Sequence, residues 1–404
     1  MLLYPVYALL FADTGLSPAA VSSLFVIWSV TAIVFEVPSG VWADVFSRRR
    51  LLTLGPLLSG AGFGLWTLFP SYAMFAAGFV LWGLGSSLRS GTLQALVYEE
   101  LRRVGAGASY ARLSGRAQAV GTTAVLVATA AAAPVMAAGG YRALGAASVA
   151  VCVLNAAVSW SLPEHRGAPS PGGENTPDAD EEEDEEDEPS LRRVLSEGWA
   201  QVRDVPRVRG ALVLSVVLMG VTALDEYVPY LAASTGVAAA AVPLLVLVVS
   251  AGDTVGGWLA GRGVRWLAPA LAVAGAGLAA GSLIGSVAGR AEGLLLVGAA
   301  FGIFQWAMVA ADARLQERIT DRSRATVTSL AGWGSEVLAV AIFAGYGAGS
   351  VWAGPGVLFA VAGVPYLMVA LVLGWSARRE SGRTTTDPAD SSRTVDTSVV
   401  GPEE

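Results

Sequence analysis

Eleven apolar runs of spanning length alternate with short polar stretches, at about 19–41, 51–69, 72–96, 117–138, 141–162, 210–232, 238–260, 267–288, 293–311, 326–348 and 356–375. About 20 apolar residues are what a helix needs to cross the ~30 Å hydrocarbon core of a bilayer. Each run therefore predicts a membrane span. With an opening run over 1–12 they make twelve, six on either side of a polar centre. The opening run is short, since twelve residues give roughly 18 Å of helix. Either the true start lies upstream or the first helix is cut short. It carries no basic n-region and no small-residue cleavage site, so it does not read as a signal peptide.

The polar stretches divide the chain. A first bundle is expected over 1–162, a connecting segment over 163–209, a second bundle over 210–376 and a disordered tail over 377–404. The linker 163–190 is rich in Pro, Gly, Asp and Glu, a composition that does not fold alone. After it Leu191, Val194, Leu195, Trp199 and Val202 recur at helical spacing up to Pro206. They predict a short amphipathic helix on the cytoplasmic membrane surface.

Arginines fix an expected orientation. With both termini cytoplasmic, inside segments hold Arg48–Arg50, Arg102, Arg103, Arg112, Arg116, Arg262, Arg265, Arg314, Arg318, Arg322 and Arg324, and outside loops hold only Arg142 and Arg290. That asymmetry obeys the positive-inside rule.

Composition agrees. The chain is 54% hydrophobic and 15% charged, with a mean hydropathy of +0.56. Taking the eleven acids between Glu174 and Glu188 out of the net charge of −7 leaves +4, so the membrane part is mildly basic. All 26 basic residues are arginine. Without lysine there is no Walker A loop and no Schiff base, which excludes ATP hydrolysis by that loop within this chain. One cysteine, Cys152, and one histidine, His165, leave no intramolecular disulfide and no His/Cys metal cluster. With no nucleophile–base pair either, an enzyme is not expected. No cofactor, metal or nucleic-acid partner is expected; the partners are a small-molecule substrate, a proton and the bilayer, and the chain is expected to be a monomer.

A pattern repeats across the halves. Glu36 is followed by Gly40, Ala43 and Arg48, and Asp253 by Gly257, Ala260 and Arg265, at the same offsets. Repeated half-patterns of this kind suggest a transporter built from two homologous halves. Gly40-x-x-x-Asp44-x-x-x-Arg48-Arg49 after the second span, together with six plus six spans and a long middle loop, resembles the major facilitator superfamily over roughly 1–376. The pattern is similar to that family's loop 2–3 signature.

The resemblance implies an all-α membrane protein of two pseudo-symmetric six-helix bundles that works by alternating access in the plasma or inner membrane. Separately, the richness in Ala, Gly, Val and Arg without Lys suggests a high-GC bacterial genome. It implies a gate in which Gly40 lets helices approach, Asp44 meets the opposite half, and Arg48 and Arg49 pair with Glu99 and Glu100. Gly257 and Arg265 belong to a weaker second copy, where Gly261 replaces the motif acid. Two other family patterns depart here: Ala133-Pro134 precedes Gly139-Gly140 by too many residues for the antiporter pattern, and Arg89-Ser90-Gly91 matches the fourth-span arginine motif only loosely.

Charges at membrane depth are costly, so each is a functional candidate. Glu36, Asp225, Asp253 and Glu336 are the candidate proton carriers, with Arg89 placed to neutralise Glu36. Glu36 and Asp253 fit equally a helix–helix hydrogen bond that locks the repeat, and Glu226 fits a wet outer rim. Tyr4, Tyr7, Gln118, Tyr227, Gln305 and Trp306 are candidate cavity residues on spans that line the cavity in the resembled family. Aromatics with a few acids and amides suit an amphipathic, cationic compound. The leading expectation is a proton-coupled exporter of a small organic molecule. A nutrient symporter or facilitator and a non-transporting membrane sensor or scaffold are the alternatives.

Overall fold

The computed structural model describes residues 1–164, 202–260, 266–319 and 324–384. The expected amphipathic stretch before Val202 and the residues Gly261 and Arg265 lie outside them. Gly40 and Asp44 lie within a helix, but their side chains are also outside the described set.

No strand occurs among the described residues, and the chain is a succession of helices. A 3₁₀ turn over Tyr4–Val6 leads into α1 (Tyr7–Asp13). Then come α2 (Pro18–Val45), α3 (Arg48–Leu68), α4 (Tyr72–Ser87), α5 (Thr92–Arg103) and α6 (Tyr110–Trp160). Serine caps start three of these. Ser17, Ser47 and Ser71 each accept the backbone N–H three residues on, at 3.2, 3.2 and 3.4 Å.

Residues 110–160 would make a helix far longer than a bilayer is thick. The stretch breaks at Gly140, whose φ of 61° and ψ of −157° suit only glycine. Beyond the break the chain returns antiparallel to α3, Gly145 lying on Thr67 and Cys152 on Gly60.

The second half holds α7 (Pro206–Met219), α8 (Val221–Asp225), α9 (Val228–Ala233), α10 (Val242–Leu259), α11 (Leu267–Ser286), α12 (Gly293–Gln316), α13 (Arg324–Gly349) and α14 (Pro355–Thr384). The seventh span is thus in three pieces. Pro229 has no N–H to give the carbonyl of Asp225, which opens the ladder beside Asp225 and Glu226. The last helix runs to Thr384, past the expected start of the tail at 377.

Nine helical stretches among the described residues are long and apolar enough to cross a membrane. One of them is the stretch that reverses at Gly140. α1, with 7 residues, and α4, with 16, are shorter than that length. The opening segment is packed inside, with Leu3, Val6, Tyr7 and Phe11 fully or almost fully buried. Its Leu3 N–H donates to Ser148 Oγ at 2.9 Å, tying it to the second leg of α6.

Helices of the two halves meet unevenly. α2 and α13 run antiparallel and touch at one end, where Phe25 packs on Phe343 with ring centroids 5.3 Å apart and Gly347 lies against Ser22. Tyr227 stacks on Tyr346 at 3.6 Å and shares a 2.7 Å hydrogen bond with Ser22 there. At the other end, which carries Arg48–Arg50 and Arg318, a gap of about 390 Å³ separates Ile33 and Glu36 from Gly332 and Trp333. The apolar clusters at that end stay within their own halves: Leu51 with Leu88, and Val208 with Leu315 and Val327. Among the described residues the molecule is closed at one end and open at the arginine end.

Candidate substrate cavity and gate

Between the halves lies a cavity of about 290 Å³. Its apolar wall includes Trp28, Phe301, Met308 and Phe343, and its polar wall Tyr4, Asp225, Glu226, Asp253, Gln305 and Glu336. No basic side chain lines it among the described residues. Four carboxylates from α8, the break after it, α10 and α13 therefore face one space.

Glu226 is the most tightly held of the four. It is only 6% exposed. Tyr4 Oη donates to its Oε1 at 3.1 Å, and Tyr7 Oη donates to Oε2. The first span of one half thus grips the broken span of the other. The tyrosines are positioned by an aromatic nest in which the Tyr7 ring meets Phe11, Phe25, Trp66 and Phe79 at 5.5, 6.0, 5.5 and 5.9 Å. Such ring pairs contribute about 0.5–1.5 kcal/mol each beyond burial.

Several expected residues come together here: Tyr4, Gln305, Asp225, Asp253 and Glu336 all line the cavity. Others do not. Tyr7 is buried in the aromatic nest and offers only its hydroxyl. Tyr227 is fully buried in the closed end. Trp306 follows Gln305 on the helix and so points about 100° away, to a space on the far side of α10 and α12. Gln118 lines a separate side space. Glu36 is exposed in the gap between α2 and α13, and meets Ser90 Oγ at 3.3 Å rather than Arg89. The acid that the wet-rim expectation set aside, Glu226, is instead buried at the centre. Its signal was the Pro229 break beside it.

At the arginine end Arg48 Nη1 lies 2.5 Å from Glu99 Oε2, and its backbone N–H donates to Glu164 at 2.7 Å. Arg49 sits over the Trp160 ring at 5.0 Å, and Glu100 pairs with Arg103 at 3.2 Å. Gly257 is unremarkable, since an added Cβ would meet nothing closer than Gln305 Cγ at 3.9 Å. The close approach falls one residue earlier. A Cβ on Gly252 or Gly256 would come 2.0 or 1.9 Å from the carbonyl oxygens of Gly298 and Gly302. Two small-residue pairs thus clamp α10 to α12 and fix Asp253 between them.

A helical membrane protein with a polar cavity between two bundles, open at one end only, has the form of a membrane transporter. The chain belongs to the Major Facilitator Superfamily, which it matches over residues 1–334; it is a transporter of that family and not an enzyme. The fold is similar to that of the nucleoside transporter NupG, with a TM-score of 0.64, 12% identity and 93% of each chain covered. It is similar too to a bacterial homolog of the human lysosomal transporter Spinster in an inward-facing, unoccupied conformation (TM-score 0.59, 15% identity, 96% of this chain and 95% of that one). The POT family transporter PepTSo aligns with a TM-score of 0.62 at 11% identity, over 94% of this chain and 95% of that one. At these identities the likeness is one of fold alone. No curated protein matches the sequence.

Proposed function

We propose that the protein is a secondary carrier that exchanges an amphipathic organic cation for protons by alternating access. The observation that carries this reading is the cavity wall, where four carboxylates and several aromatic rings meet no cation among the described residues. Uncompensated carboxylates at membrane depth are costly and are relieved by a proton or by a cationic ligand. A group that holds one or the other, and not both, produces exchange rather than cotransport. With protons entering, the net movement of the cation is export.

The arginine end is the cytoplasmic one on this reading, by the charge asymmetry of the loops. The open cavity is then the inward-facing state. Arg48, Glu99 and Glu164, with Asp44 nearby in sequence, form the inner gate that closes in the outward-facing state.

Counterflow in proteoliposomes tests it, with labelled aromatic amines, quaternary ammonium compounds and neutral nucleosides. The cations are expected to exchange and the nucleosides not. Exchange of nucleosides alone would make the protein a nutrient carrier, and no exchange of any compound would favour a sensor.

A further inference from the structure

The acidic cavity has a neighbour. Tyr4, Asp225 and Asp253 line it on one side, and on the other they line a second space of about 520 Å³ between α10 and the first leg of α6. Among the described residues, the one basic side chain that lines this second space is Arg89. α4 ends at Ser87 and α5 begins at Thr92, with Gly91 at a φ of 70° between them, so Arg89 sits in a broken part of the fourth span. Gly55 makes room for its stem: a Cβ there would lie 2.9 Å from Arg89 Cγ.

Among the described residues the guanidinium lacks a partner at one buried nitrogen. Its Nε is buried without a hydrogen-bond partner, and among the described residues no carboxylate forms an ion pair with it. Glu36, the nearest acid by sequence reasoning, is turned to Ser90. Buried polar groups are nearly always paired, and a buried cation is costly without an anion. So Asp225 and Asp253 face both spaces, while Arg89 lines only the second and forms no ion pair with them. Gln118, Thr122, Ser250 and Thr254 add neutral hydrogen-bonding groups beside the arginine.

We propose, building on the carrier reading above, that the two chambers together bind a zwitterion. Its ammonium lies against Asp225 and Asp253, its carboxylate or other anionic group takes Arg89, and a small apolar body passes Tyr4 between them. A bidentate guanidinium–carboxylate contact is the interaction that arginine forms best, and lysine reproduces only its charge.

Matched ligands separate the contributions. Phenylalanine, its methyl ester and N-acetylphenylalanine, and the same three forms of phenylalanylalanine, are titrated onto the purified protein by calorimetry. The zwitterion of at least one set is expected to bind about tenfold or more tightly than its ester, the gain of one charge-assisted contact. Arg89→Gln is expected to remove that advantage while leaving the ester within about twofold, and Arg89→Lys to keep part of it. If esters bind as well as zwitterions, or if Arg89→Gln weakens both equally, the two-chamber proposal falls and the cation carrier stands. If no ester or zwitterion binds and only uncharged or N-acetyl compounds do, the carrier reading falls with it. Should Arg89→Gln not fold, the wild-type ratio and Arg89→Lys decide the matter.

Discussion

Glu226 receives hydroxyls from two tyrosines of the opposite half, and this makes a single carboxylate part of the joint between the halves. Tyr7→Phe keeps the ring in its aromatic nest and removes only the donor. The expected cost is on the order of 1 kcal/mol, the range measured for side-chain hydrogen bonds within membranes. A double-mutant cycle of Tyr7→Phe with Glu226→Gln, read by thermal unfolding in detergent, should show coupling between the two sites; strict additivity would mean that the contact does not hold the halves together.

The acids themselves were visible in the sequence, because a carboxylate inside an apolar run stands out against its surroundings. Their sorting was not. Asp225 and Glu226 are adjacent, and on a regular helix they would point about 100° apart. The break at Pro229 lets both face the cavity, and no periodicity argument through a break gives that. Tyr227 shows the same effect, one residue further and already in the closed end.

Among the elements, the contact of α10 with α12 depends on glycine phase. Gly256→Leu is expected to abolish monodisperse folded protein on size-exclusion chromatography, since even the first carbon of a side chain would overlap the Gly302 carbonyl. Gly257→Ala should leave the elution profile unchanged. A normal profile for Gly256→Leu would show that the two helices are not clamped as described. The repeat in the sequence pointed to Gly257, the position equivalent to Gly40. The residue that packs there, Gly256, is one position earlier, because pairing depends on what Gly298 and Gly302 present from another helix. Most spans were legible nearly to their ends from apolar length alone, but the expected runs 72–96 and 210–232 are each broken into separate helices. The Arg48–Glu99 pair was legible from loop position, whereas the stacking of Arg49 on Trp160 needed the path of the chain after Gly140.

At the scale of the whole molecule, the two halves are sealed at one end by Ser22, Tyr227, Phe343 and Tyr346 and parted at the other. Cys152 is the only cysteine and is buried, so single reporters are easily placed in a Cys152→Ser background. A membrane-impermeant maleimide is expected to label Gln118→Cys and Gly332→Cys rapidly and Ser22→Cys slowly, because Ser22 is 2% exposed while the other two positions are open. Equal rates would contradict the asymmetry. The carboxylate-lined cavity also sets a sign for pH. Protons and cations compete for the same oxygens, so cation affinity should rise as pH rises and fall as the carboxylates are protonated.

Exchange of cation for proton is the central claim, and proton-driven uptake tests it most directly. Vesicles holding the protein are prepared acidic inside and placed in alkaline medium with a labelled aromatic amine. The account predicts accumulation that collapses with the gradient and is lost in the triple variant Asp225→Asn, Glu226→Gln, Asp253→Asn, with the variant still folded by size-exclusion chromatography. Accumulation that persists undiminished in that variant, or that ignores the gradient in the wild type, would contradict it.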